Sequence, residues 1–167
     1  MISKKALRSF SYYGWHKGFY SDEDPENSLS SIKYTDFYDE CEDEEFPYCS
    51  AHQLLCGSCH LFAISLQKTF NYTPYLIQGN NKKGFHAFCQ VFKNGNWYYI
   101  DARGVTSSFD EFMSVAKRFV TDEYTIRPII PKDIEEWEIG SEYNEEAYAF
   151  AEVIIKKYRD CYTLEIK

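Results

Sequence analysis

Gly84-Phe85-His86-Ala87-Phe88-Cys89-Gln90-Val91-Phe92-Lys93-Asn94-Gly95-Asn96-Trp97-Tyr98-Tyr99-Ile100-Asp101 holds two runs rich in aromatic and β-branched residues, joined by Asn-Gly. Asn-Gly supplies two consecutive residues that tolerate positive φ, and is the strongest short hairpin signal. With Asn94-Gly95 as the turn, Lys93 faces Asn96, Phe92 faces Trp97, Phe88 faces Asp101 and His86 faces Arg103. Opposed residues share a face, and so do residues two apart on one strand. His86, Phe88, Asp101 and Arg103 are therefore expected on one side of the sheet. His86 and Asp101 become diagonal neighbours, about 5.5–8 Å apart at Cβ, a gap that an imidazole and a carboxylate can close with a hydrogen bond.

Upstream lies Gln53-Leu54-Leu55-Cys56-Gly57-Ser58-Cys59-His60. Cys59, Phe62, Ala63, Leu66 and Phe70 follow helical spacing and predict a helix over Ser58–Phe70, with Ser58 as N-cap and Asn71 as stop. A cysteine at a helix start meets unpaired N–H groups and the positive end of the helix dipole, which favour a thiolate. A neighbouring imidazolium lowers the thiol pKa further. If the helix start packs on the sheet face carrying His86, then Cys59, His86 and Asp101 converge as nucleophile, base and orienter.

The remaining pattern predicts a short strand at Tyr75–Gln78 and a helix at Phe109–Phe119 starting near Ser107 or Ser108. It also predicts an edge strand at Tyr124–Ile130 containing Pro128, and helices at Pro131–Trp137 and Tyr143–Tyr158. Together these describe an α+β domain with a small, mainly antiparallel sheet. Length suits one domain over 1–167, divided into an N-terminal extension (1–50), a core (53–104) and C-terminal helices with an edge strand (105–167).

A hydrophobic content of 44% argues against a disordered chain, and 19% aromatic residues favour strands and large buried rings. A net charge of −8 repels nucleic-acid phosphate and anionic lipid, so neither is an expected partner. Neither a secretory signal nor a run of membrane-spanning length is evident, which predicts a cytoplasmic protein with cysteines kept as thiols. Asp36, Asp39, Glu40, Glu42, Asp43, Glu44 and Glu45 form an acidic segment, read either as a solvated face or as a dock for a basic protein partner.

The cysteine-rich stretch admits other chemistry. Cys56-Gly57-Ser58-Cys59-His60 spells C-x-x-C-H, the haem-attachment pattern, but haem attachment needs export. Cys41, Cys49, His52, Cys56, Cys59 and His60 are a zinc alternative without the paired C-x-x-C spacing of known zinc modules. A redox pair at Cys56 and Cys59 lacks the preceding strand of thioredoxin-like proteins. Cys89 and Cys161 read as core residues.

On these residues the chain resembles the transglutaminase-like superfamily, within the wider papain-like group. The similar segments are Gly57–Ala63, Pro74–Gly79, His86–Phe92 and Gly95–Asp101, all within 53–104, about a third of the chain. The resemblance implies a papain/transglutaminase-like core, in which a helix carrying the nucleophilic Cys59 packs on the sheet. Cys56-Gly57-Ser58-Cys59 is also similar to the run around the papain nucleophile, with His60 replacing an aromatic residue. Gln53 stands where papain-like enzymes keep an oxyanion-hole glutamine. The short separation of Cys59 from His86 departs from a papain domain and fits a minimal transglutaminase-like core.

The expected function is a cysteine hydrolase or transferase (protease, deamidase or transglutaminase-like) acting on an amide or acyl bond of a protein or small molecule. Cys59 attacks, His86 moves the proton, Asp101 orients His86, Gln53 serves the oxyanion, and no metal or organic cofactor is required. Trp97 and Arg103 are candidates for lining the substrate cleft, or else a core ring and a surface charge. The alternative from another class is an inactive acidic binding or inhibitor protein on the same fold.

Overall fold

The computed structural model describes residues 54–55, 57–82, 84–120, 123–139 and 144–164. The hairpin at its centre forms strands β2 (Phe85–Lys93) and β3 (Asn96–Asp101). Asn94 and Gly95 both take positive φ, 51° and 82°, as a two-residue turn of this hand requires. The register follows: Lys93 faces Asn96, Phe92 faces Trp97, Val91 faces Tyr98, Gln90 faces Tyr99 and Cys89 faces Ile100.

β1 (Thr73–Gly79) pairs with the other side of β2, and β5 (Tyr124–Pro128) pairs with β1 as the edge strand expected of a run ending in proline. The sheet has five antiparallel strands in the order β4-β3-β2-β1-β5. β4 (Gly104–Thr106) was not expected from the sequence. The chain turns sharply after Asp101 through Ala102 and Arg103, so Asp101 faces Gly104, and Gly104 takes a φ of 114°. The expected pairing of His86 with Arg103 is thereby overturned: Arg103 occupies the turn instead of extending β3.

Helix α1 (Cys59–Phe70) carries the predicted stripe, and its first two turns are buried nearly all round. Asn71 ends it in the left-handed conformation, φ 58°, with its N–H on the Gln67 carbonyl. α2 (Phe109–Phe119) begins as read, with the Ser108 hydroxyl accepting from the Glu111 N–H. α3 (Pro131–Ile139), α4 (Asn144–Lys157) and the short α5 (Arg159–Tyr162) complete the described chain. No helix among the described residues is long and apolar enough to cross a membrane.

The sheet is covered on both faces. On one, Leu76, Ala87, Cys89 and Ile100 pack with Phe62, Ala63 and Leu66 of α1 and with Phe150, Ala151, Ile154 and Ile155 of α4. On the other, Ile77 and Phe88 pack with Phe112, Met113 and Ala116 of α2. This corrects the expectation that α1 packs on the face carrying His86: alternation along β2 puts Ala87 and Cys89 toward α1, and His86 and Phe88 toward α2. At the end of α5, Tyr162 reaches back, its hydroxyl donating to the Ala102 carbonyl at 2.9 Å and so bracing the turn that follows Asp101.

Candidate active site

The thiol and the imidazole stand on opposite faces and meet where β3 leaves the sheet. In a two-residue hairpin the flanking residues exchange both backbone bonds, and such pairs alternate along the ladder. Lys93, Val91 and Cys89 thus direct their N–H groups toward β3, and Ala87 continues the series. Because β3 ends at Asp101, no strand carbonyl faces the Ala87 N–H. Cys59 Sγ takes that place, accepting from Ala87 N at 3.4 Å. A gap in the sheet therefore admits the thiol at the position next to His86.

Cys59 opens α1, preceded by Gly57 with φ +118° and Ser58. Ser58 occupies the N-cap position, but its hydroxyl makes no cap bond; its carbonyl accepts from Leu61 and Phe62. No acid lies in the first turn of α1, so nothing there opposes a negative sulfur.

His86 is fully buried, its ring stacked near Phe88 at 6.2 Å and tilted against Phe112 at 5.9 Å. Its Nε2 pairs with Asp101 Oδ2 at 3.1 Å, the bond anticipated from the hairpin register. Its Nδ1 is buried and has no hydrogen-bond partner of normal geometry. With Nε2 occupied, Nδ1 is the atom left to serve the thiol.

Asp101 is held more tightly than a sequence reading could show. Arg103 donates to Oδ1 from its backbone N–H and Nε, both at 3.0 Å, and to Oδ2 from Nη2 at 2.7 Å. The rest of the guanidinium donates into α2: Nη1 to the Glu111 carbonyl and Ser114 Oγ, both at 3.2 Å, and Nη2 to the Phe112 carbonyl at 3.0 Å. Arg103 is fully buried, so the substrate-lining role expected of it gives way to one behind the site. Trp97 stands at the far end of the hairpin, exposed and packed on Phe92 at 5.0 Å. Six residues of strand, about 20 Å, separate Phe92 from His86, so Trp97 does not line the site.

The electrostatics follow from these contacts. Burial pushes Asp101 up, but the charge and bonds of Arg103 and the bond to His86 hold it well below the usual carboxylate range. Burial pushes His86 down, but the bond to Asp101 and the contact with the sulfur raise it to about 9. Burial pushes Cys59 up, but hydrogen-bonding and charge from His60 and His86 outweigh it and bring the thiol down to about 6. Between those values the two groups are a thiolate and an imidazolium. Cys89 is the contrast: equally buried on the same face, it only donates to the Ala63 carbonyl at 3.3 Å, and burial raises its pKa strongly. Cys161 is half-buried, and burial raises its thiol as well.

Gln53, the acidic segment Asp36–Glu45, and Cys41, Cys49, His52 and Cys56 lie outside the described residues. Among the described residues, no group of three His, Cys, Asp or Glu side chains is arranged to hold a metal ion. Two contributors escaped the sequence reading as members of the site. The sharp turn that returns Arg103 to Asp101 had a signal in Gly104. His60 had one only in standing beside Cys59. No protein-family model, characterised protein or solved structure matches the chain.

Proposed function

We propose that the protein is a cysteine-nucleophile enzyme acting on amide or related acyl bonds, built on a papain/transglutaminase-like arrangement of helix and sheet. One observation carries this reading: Asp101 holds His86 by Nε2, leaving Nδ1 for a buried thiol whose polar neighbours are His86, His60 and the Ala87 N–H. A merely structural cysteine has no use for that constellation, as Cys89 illustrates.

In the proposed reaction the Cys59 proton resides on His86, and the thiolate attacks the carbonyl carbon. The C–S bond forms, the C–N bond breaks, and the leaving nitrogen takes a proton from an imidazole at the sulfur. A water or an amine then attacks the thioester, returning a proton to that imidazole as the C–S bond breaks and the thiolate is released. Asp101 fixes the ring and favours its charged form without becoming protonated. The Cys59 backbone N–H at the helix start is the proposed oxyanion donor, with Gln53 as its partner. Hydrolase, deamidase and transferase share these steps.

The test is iodoacetamide labelling with site mapping from pH 5 to 9. Wild-type Cys59 is expected to reach half its maximal rate near pH 6. His86→Ala is expected to slow labelling at pH 7 by about 30-fold, as the thiolate fraction falls from about 90% to about 3%. Uniformly slow labelling of every accessible cysteine, unchanged in the variant, would refute the enzyme and favour a binding protein on this fold.

A further inference from the structure

The proposed mechanism leaves one side chain at the sulfur unused. His60 follows Cys59 in the first turn of α1 and is half-buried, whereas His86 and Asp101 are sealed. Its ring interacts with the Cys59 thiol, and its buried Nδ1 makes no hydrogen bond to any nitrogen or oxygen. Natural structures rarely leave such an atom unsatisfied, and a functional site is one of the few explanations. The ring is fixed from the side by Trp137 of α3, centroids 4.9 Å apart, and by the edge of Phe85 at 6.2 Å; Phe85 and Trp137 are themselves stacked at 5.4 Å. His60 and His86 are the only titratable groups among the described residues that act on the Cys59 thiol.

Resting on the cysteine-nucleophile reading, we propose that His60 is a second catalytic histidine, the acid and base that faces the substrate. The two imidazoles divide the work by exposure. His86, buried and bonded to Asp101, keeps the thiol's proton throughout the cycle. His60 is the more exposed of the two imidazoles, and so the one an arriving acyl group meets. As the C–S bond forms and the C–N bond breaks, protonated His60 gives its proton to the leaving nitrogen. Neutral His60 then takes a proton from the attacking water or amine as the C–S bond breaks. One proton is given and one recovered, so His60 and the Cys59–His86 pair both return to their starting states.

p-Nitrophenyl acetate separates the two halves, because its leaving group departs as a stable anion and needs no acid. Acylation of Cys59 is read as the burst of nitrophenolate, and water attack on the acetyl-enzyme as the steady rate. His60→Gln is expected to slow the burst by no more than tenfold and the steady rate by about 10²-fold or more, the usual range for a general base. Hydroxylamine, a nucleophile needing little base assistance, should restore turnover. His60→Phe keeps the packing on Trp137 and Phe85 and should lose the steady rate to the same extent. A steady rate unchanged in both variants, or lost equally with the burst in both, overturns the assignment to His60. Absence of acetylated Cys59 by mass spectrometry of wild-type enzyme quenched in turnover, with no burst, refutes the nucleophile itself, a separate result.

Discussion

The two ends of the His86 ring lie in opposite kinds of environment. At Nε2 every polar group is satisfied: Asp101 accepts from His86 and repeatedly from Arg103, and Arg103 spends its remaining donors on α2. At Nδ1 the bonding is weaker: His86 Nδ1 and His60 Nδ1 find no nitrogen or oxygen partner, only the neighbouring thiol, and the sulfur has one long backbone donor. Both ends are buried, so burial does not distinguish them. A fully satisfied buried network rigidifies, whereas a partly satisfied one carries a cost. On the proposed function, the difference separates the half of the site that holds geometry from the half that meets the substrate.

The anchored half should break most severely. Arg103→Met leaves Asp101 buried with its main counter-charge gone, and a loss of about 3–5 kcal/mol in chemical denaturation is expected. Wild-type Asp101 titrates below its unfolded value near 3.9, so its contribution is present above that pH and fades as pH falls toward the folded value. In Arg103→Met the folded value rises and the acid limb of stability moves to higher pH. Adding Asp101→Asn removes the stranded charge and should recover more than half of the lost stability while Cys59 labelling stays slow. Recovery of both together would mean that the carboxylate does not sustain the imidazolium.

A milder break targets the turn between the halves. Tyr162→Phe strands the Ala102 carbonyl by deleting one buried hydroxyl. About 1–2 kcal/mol of stability should be lost, read by denaturant titration. Because Ala102 immediately follows Asp101, the labelling rate of Cys59 at neutral pH should fall a few-fold as well. A stability loss with fully native reactivity would show that Arg103 alone positions the carboxylate.

How much of this was legible in the sequence follows the range of the forces involved. The hairpin, its register and the His86–Asp101 bond were readable because Asn94-Gly95 fixes a turn and the pleat propagates its parity. The α1 and α2 boundaries were nearly readable from spacing and from Ser108. The face on which α1 packs was not, since no local rule chooses between the two sides of a sheet covered on both. The fate of Arg103 was lost with the turn at Ala102, because its partners on α2 are carbonyls, which any residue supplies. His60 was visible only as a candidate metal ligand until Trp137, far along the chain, was seen to fix its ring.

Trp97 sharpens the comparison from outside both halves. It shares a sheet face with His86 and Asp101, which made it a candidate for the site, yet it is 45% exposed at the hairpin tip. Its measurable interaction is with Phe92, and a cross-strand aromatic pair contributes about 0.5–1 kcal/mol. Trp97→Ala should therefore cost no more than that and leave Cys59 labelling within about twofold of wild type. Between the tip and the site lie Phe88, Tyr99 and Phe112, packed on one another at 4.4–6.3 Å. A tenfold loss of labelling in Trp97→Ala would mean that these rings transmit movement of the tip to His86. An unchanged rate would place the boundary of the site at that aromatic layer, and would show that a shared face gives the direction of a side chain but not its reach.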